Sequence, residues 1–397
     1  MMRIAIRMLV GDGPKYAGVL FGIAIMTWLT MLVGSMFLGM LSRTSSLVAD
    51  NPSVDVWVMD PACESLIQTI NMPDTAVDRV KGVPGVAVAT RLTLGSAAAR
   101  LPNGKFITVD LIGVDDATLR GLPASADVAS TQAIRGPDAA LFDLAGTHGQ
   151  LVIPVDPGDR WPHGKPRLDV ETRGARVGDE FLVNNNAVRI AGEVKGRPKF
   201  LPQVALYMTY SNVAKVLPPE RNRLTFVLAS VQDGHDAEEV ARRIEDATGL
   251  RARTSERFAS DTAMWFVRNS EVLRNILVIV SAAAMVGFAI TGLMLYMFTK
   301  ENARYYATLK AIGASNLLLM RMVLAQAMIA GAMGLGLGVG ACVAFGLGMN
   351  AATGFPFRVA WLTLGGVSVL VLAVTACAAV ISTRSVLKVE PGTVFKN

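Results

Sequence analysis

Residues 275–299 read NILVIVSAAAMVGFAITGLMLYMFT, with no charged side chain among them. A run of about 18 or more such residues is long enough to cross the hydrocarbon core of a bilayer as a helix. Further charge-free runs occupy 16–41, 322–357 and 359–383. As a helix rising about 1.5 Å per residue, the 16–41 run is roughly 39 Å long, which exceeds the roughly 30 Å core and predicts tilt or protrusion. The 322–357 run is too long for one span, and its end, from Gly348 to Pro356, reads as an exit turn. Four spans are therefore expected. The first is a retained anchor rather than a cleaved signal, because it is too long for a signal core and no Ala-x-Ala site follows it.

The chain has 397 residues, 52% of them hydrophobic, and a net charge of +6. Its charge is concentrated beside the spans. Segments 1–15, 300–321 and 384–397 carry ten Lys and Arg against Asp12, Glu301 and Glu390. Basic residues beside spans mark the cytoplasmic side. The positive balance is therefore topogenic and not a nucleic-acid footprint. This reading gives a cytoplasmic amphipathic segment (1–15), a first span (16–41) and an extracytoplasmic domain with a stalk helix at each end (42–270). A second span (271–299), a cytoplasmic loop or helix (300–316) and a third span (317–350) follow. A short outer loop (351–358), a fourth span (359–383) and a cytoplasmic tail (384–397) complete the chain. The fold class is a membrane protein with four transmembrane α-helices in a 1+3 arrangement and a large α+β extracytoplasmic domain on helical stalks.

Within 42–270, period-two alternation and turn residues predict strands at 54–59, 151–155, 204–208 and 224–231. Hairpins are predicted at 93–114, turning at Pro102-Asn103-Gly104, and at 180–194, turning at Asn184-Asn185-Asn186. Short helices are predicted over 74–81, 115–120 and 138–145, and an amphipathic helix over 236–248. A helical stalk is expected to run from 256 through 274 into the second span. Cys63 is the one cysteine of this domain, so it has no partner there for a disulfide.

The sequence has no Gly-x4-Gly-Lys-Ser/Thr phosphate loop, no Gly-x-Ser-x-Gly elbow and no metal-type histidine spacing. Neither a catalytic residue, a metal ligand nor a resident cofactor is expected. The spans lack the ionisable groups that ion-coupled carriers place at membrane depth. Any transport would draw its energy from elsewhere. The glycines of the third span fall into two helical rows, Ala330-Gly334-Gly338-Cys342 and Ala332-Gly336-Gly340-Ala344. Rows of small residues let helices approach closely in lipid, within the chain or between copies.

The loop Glu301-Asn-Ala-Arg-Tyr-Tyr-Ala-Thr-Leu-Lys-Ala-Ile-Gly-Ala-Ser315 has an apolar stripe of Tyr305, Leu309 and Ile312. Gly313 suits a helix C-terminal cap, and Ser315 suits the N-cap of the next helix. This loop, placed after the second of four spans, resembles the cytoplasmic signature of permease subunits in the FtsX/MacB superfamily of ABC transporters. Gly11-Asp-Gly-Pro-Lys-Tyr16, Ser42-Arg-Thr-Ser-Ser46, Asp55-Val-Trp-Val-Met-Asp-Pro61 and Leu111-Ile-Gly-Val-Asp-Asp116 look like segments of DevC-type members, as does the 384–394 tail.

The resemblance implies a non-catalytic permease, working as a homodimer in the bacterial inner membrane with both termini cytoplasmic. Its ATP and magnesium would be bound by a separate dimer of ABC ATPase subunits. Glu301, Arg304, Tyr305, Thr308, Leu309, Lys310, Ile312 and Gly313 would form the ATPase-coupling interface. It also implies a HlyD-like periplasmic adaptor, an outer-membrane channel and export of a lipid, glycolipid or other amphiphile. The alternative is an FtsX-like regulator that activates a periplasmic cell-wall hydrolase.

Overall fold

The computed structural model describes residues 13–147, 151–156, 158, 160, 168–199, 203–218 and 224–387. Residues 1–12 of the amphipathic segment 1–15, most of the 157–166 loop and the tail from 388 lie outside the described residues. The described residues form two compact units, one built from residues 13–40 and 271–387 and the other from within 41–270.

In chain order the helices are α1 (Gly13–Arg43), α2 (Ser46–Asp50), α3 (Ala76–Lys81), α4 (Val128–Ala133), α5 (Leu144–Thr147) and α6 (Tyr210–Val216). They continue with α7 (Ala237–Thr248), α8 (Ser255–Asn269), α9 (Glu271–Glu301), α10 (Ala303–Ala311), α11 (Asn316–Thr353) and α12 (Trp361–Leu387). The strands are β1 (Val56–Met59), β2 (Val86–Arg100), β3 (Phe106–Val114), β4 (Ala139–Asp143), β5 (Val152–Pro154), β6 (Thr172–Gly174) and β7 (Glu180–Val183). β8 (Asn186–Val194), β9 (Val204–Thr209), β10 (Phe226–Val231) and β11 (Arg251–Thr254) complete them.

The 41–270 unit is α+β. Its main sheet runs β11-β1-β10-β2-β3-β9-β4-β8-β7, and β7 also pairs with β2, so the second half curls back on itself. β5 and β6 form a separate ribbon. β3–β9 and β4–β8 are parallel, and the other pairs are antiparallel. β1 and β9 are buried along their whole length, as expected of apolar strands covered on both faces. Both predicted hairpins form. Gly104 has φ +85° at the last position of the three-residue loop 102–104 of the first turn, and Asn184 and Asn185 have φ +47° and +65° in the second, the positive values a two-residue hairpin turn needs.

Trp57, Phe226 and Phe258 make one aromatic cluster, with centroids 5.6–5.7 Å apart. α7 covers the other face, where Val240 and Ile244 meet Val56, Val58 and Val227. Its ends follow capping rules: the Asp236 carboxylate accepts from the Glu239 N–H at 3.1 Å, and Gly249 adopts φ +68°.

Four expectations are corrected. Residues 115–120 form a turn, because Asp115 Oδ2 accepts from both the N–H and the hydroxyl of Thr118, and Leu119 sits at φ +54°. Residues 139–143, expected to be helical, are the fully buried strand β4 between β9 and β8, followed by α5. The stalk predicted through 274 is interrupted. α8 ends at Ser270, whose extended backbone (φ −91°, ψ 133°) separates it from α9. The third long helix has no exit turn at 348. α11 continues to Thr353 and is closed by Gly354 at φ +65°.

Among the described residues, the other unit holds four helices long and apolar enough to cross a membrane: Tyr16–Arg43, Glu271–Glu301, Asn316–Thr353 and Trp361–Thr383. Several of their hydroxyls are bonded within the helix, whereas those of Thr30, Ser35 and Thr291 are buried without a hydrogen-bond partner among the described residues. Thr27 donates to the Ile23 carbonyl at 2.8 Å, and Thr375 and Thr383 repeat this four-residue pattern.

Candidate functional site

The 301–315 stretch forms a complete capped helix between two of these long helices. Asn302 (φ −82°, ψ 8°) separates α9 from α10, and Ile312 ends α10. Beyond it, the Gly313 N–H donates to the Lys310 carbonyl at 3.1 Å, and the Ala314 N–H donates to the Leu309 carbonyl at 2.9 Å. These two bonds, with Gly313 at φ +100°, make a Schellman cap, and Ala314 and Leu309 pack in one apolar cluster as that motif favours. One residue later, Ser315 Oγ accepts from the Leu318 N–H at 3.3 Å and starts α11. The chain therefore passes from one helix into the next with both helix ends hydrogen-bonded.

The faces of α10 differ in what they touch. Tyr306, Leu319 and Val323 are each 1% exposed and form a cluster that Leu309 also joins. The Tyr306 hydroxyl donates to Gln326 Oε1 at 3.2 Å in the buried interior. Burial pushes the Tyr306 phenol up to about 12, against the smaller opposing effect of Gln326, so it remains a neutral donor near pH 7. On the other face Tyr305 is 63% and Ile312 79% exposed, and Glu301, Arg304 and Thr308 are exposed beside them. Lys310 is half-buried.

The structure thus divides the stripe read from the sequence. Leu309 turns inward, while Tyr305 and Ile312 remain at the surface. Sequence reasoning missed Tyr306 and Gln326. A signal for Gln326 was present, because a glutamine in an apolar helix needs a hydrogen-bonding partner. Which of two adjacent tyrosines faces inward was not readable from spacing this short. α10 thus has a buried anchor on one face and an exposed face of aromatic, aliphatic and charged residues. Among the described residues no group of three or more His, Cys, Asp or Glu is placed to hold a metal ion.

The two glycine rows of α11 separate as well. Ala330, Gly334, Gly338 and Cys342 are buried. A Cβ on Gly338 would lie 2.5 Å from Thr27 Cβ and 2.6 Å from the Ala24 carbonyl oxygen, and one on Gly334 would lie 2.7 Å from Ile23 Cγ2. This row seats α11 against α1. Ala332, Gly336, Gly340 and Ala344 are exposed, and a Cβ on Gly336 or Gly340 would meet nothing within 4 Å.

Comparison with known proteins matches two family models. The MacB-like periplasmic core domain matches residues 17–247, and the FtsX-like permease C-terminal domain matches residues 277–391. Among solved structures, the periplasmic region of MacB from Actinobacillus actinomycetemcomitans is 12% identical, with a TM-score of 0.35 over 55% of this chain and 94% of that one. The extracellular domain of YknZ, a noncanonic ABC-type transporter from Gram-positive bacteria, is 12% identical, with a TM-score of 0.31 over 51% of this chain and 98% of that one. None of the curated proteins compared with the chain matches it.

Proposed function

Because the chain belongs to the family of membrane permeases built from a MacB-like periplasmic core and an FtsX-like C-terminal domain, we propose that it is the membrane subunit of an export system in which α10 receives the work of a separate ABC ATPase. Family members of this kind are permease subunits that work with an ATPase partner. The observation that carries the proposal is the construction of α10. It is closed by a Schellman cap, followed at once by the N-cap of α11, and anchored by Tyr306 to that helix. It presents Tyr305 and Ile312 outward. A push on that face is passed to α11 through packed side chains and cannot be lost in a floppy loop.

On this reading the ATPase dimer docks on the exposed face of α10 from the cytoplasm. Both termini of the chain are cytoplasmic, and the membrane is the bacterial inner membrane. Two copies of the permease associate, and the exposed Gly336–Gly340 row offers a close-approach surface for that contact. The 41–270 unit works with a HlyD-like adaptor and an outer-membrane channel to export a lipid, glycolipid or other amphiphile.

The test is reconstitution of the full chain with its ATPase in proteoliposomes. Stimulated ATP hydrolysis is expected with the native chain and is lost with Ile312→Asp, which is tolerated structurally because the side chain is exposed. Equal stimulation by both would remove α10 from the mechanism. Co-purification of a cell-wall hydrolase in place of an adaptor would replace export by the regulatory role.

A further inference from the structure

The 41–270 unit contains a cavity of about 640 Å³, within the size range of small-ligand sites. Its walls are uneven. Leu47, Leu66, Leu94 and Ile112 supply an apolar side. Arg43 and Lys199 supply two cations, and Asp110 the one carboxylate. Lys199 is unusual among them. Its stem is partly exposed, but its Nζ is buried and, among the described residues, has no hydrogen-bond partner. The ammonium lies 5.2 Å from the centroid of the Tyr207 ring on the central strand β9.

The surrounding carboxylates are engaged by other donors, except for Asp143 Oδ2, which is buried without a hydrogen-bond partner among the described residues. Asp110 accepts from Ser96 Oγ at 2.9 Å and, with its amide oriented to satisfy both ends, from Gln203 at 3.0 Å. Asp50 accepts from the Arg197 N–H at 3.1 Å through both oxygens. Asp143 Oδ1 accepts from the N–H groups of Gly196 and Ala145 at 3.1 and 3.0 Å. Burial pushes the Lys199 ammonium down from its usual range, and Asp143, Asp110 and Asp50 hold it up. A buried ammonium whose three N–H donors lack acceptors is costly unless something supplies them.

We propose that this cavity binds an amphiphile with a single acidic group, its carboxylate, sulfate or phosphate on Lys199 and its apolar chain along Leu66, Leu94 and Ile112. Arg43, toward the start of the unit, adds a second positive charge. The proposal narrows the amphiphile of the exporter reading to one with an acidic group, and to that extent it rests on that reading.

The test uses the full chain in nanodiscs of zwitterionic lipid, with radiolabelled dodecanoate retention measured above that of empty nanodiscs. Saturable retention is expected, with dodecanol bound at least about ten-fold more weakly, the usual worth of one charge-assisted hydrogen-bonded contact. Lys199→Met lowers dodecanoate affinity by a similar factor, and Lys199→Arg restores most of it. Ile67→Glu, on an exposed residue of the cavity wall, weakens dodecanoate but not dodecanol. Unchanged binding in Lys199→Met, equal affinity for dodecanol, or full displacement by inorganic phosphate overturns the proposal, the last showing a free-anion site. Ile312→Asp leaves dodecanoate binding intact. Binding without ATPase stimulation therefore sinks only the coupling reading, and stimulation without binding sinks only this one.

Discussion

The Tyr306 hydroxyl donates to Gln326 Oε1 across 3.2 Å, joining the short helix α10 to the long helix α11 at a buried point. A buried neutral hydrogen bond contributes about 1 kcal/mol, and leaving one partner unsatisfied costs about 1–3 kcal/mol. Tyr306→Phe and Gln326→Leu each lower the melting temperature of the full chain in detergent. The double variant recovers part of the loss, giving a coupling of roughly 1 kcal/mol in a double-mutant cycle. Strictly additive losses would show that the two side chains do not act together.

The two glycine rows make opposite predictions. Gly338→Val places a branched side chain where even a Cβ would sit 2.5 Å from Thr27 Cβ, so it lowers stability by about 1–3 kcal/mol or more. Gly336→Val and Gly340→Val meet no neighbour within the chain and leave its melting temperature nearly unchanged. If copies pair through the exposed row, these same two variants reduce dimer cross-linking. Melting curves and cross-linking yields on one set of proteins separate the two effects.

Asp50 gives a pH dependence. Burial, its largest influence, raises its pKa from 3.8 to about 6, the Arg197 N–H lowers it, and Asp143 adds to the rise. The native state therefore holds this proton more tightly than the unfolded chain does. The sign of the linkage is that stability from this group is present below about pH 4 and is lost as pH rises through about 6. Asp50→Asn keeps an acceptor for the Arg197 N–H and removes the ionisation. It flattens the stability profile between pH 4 and 6 and raises stability at pH 7.5 relative to the native chain. A native profile already flat in that window would contradict this.

Cys63 is fully buried, and its thiol donates to the Gln68 carbonyl at 3.2 Å. Burial pushes its pKa up, away from the reactive thiolate. It resists maleimide at pH 8 in the folded protein and reacts on denaturation. A cysteine introduced at Ile67, which is 40% exposed, reacts at once and serves as the control. Rapid labelling of native Cys63 would show that this part of the unit opens.

The elements read correctly from the sequence are those whose signal is local. Charge-free runs fixed the long helices, Asn184-Asn185 and Asn103-Gly104 fixed two hairpin turns, and Gly313 and Ser315 fixed the caps around α10. The errors occur where tertiary context decides. Ala139–Asp143 is a short apolar run, and only its position between β9 and β8 makes it a strand. The helix α11 passes Gly348 without turning, because glycine is common in membrane helices. Tyr305 and Tyr306 are neighbours, so their opposite burial follows from the packing of Leu319 and Val323, which lie in the next helix. Lys199 carried no motif at all, and its interest lies in a cavity assembled from distant segments.

On the proposed function, a partner ATPase pushes on the exposed face of α10. A photo-crosslinking residue at Ile312, 79% exposed, tests it most directly, with the same group at Trp361, 88% exposed at the start of a different long helix, as the comparison. An adduct with the ATPase is expected from position 312 but not from 361, with a yield that changes between ATP-bound and nucleotide-free states. Adducts with lipid alone from position 312, while the ATPase still co-purifies, would contradict it.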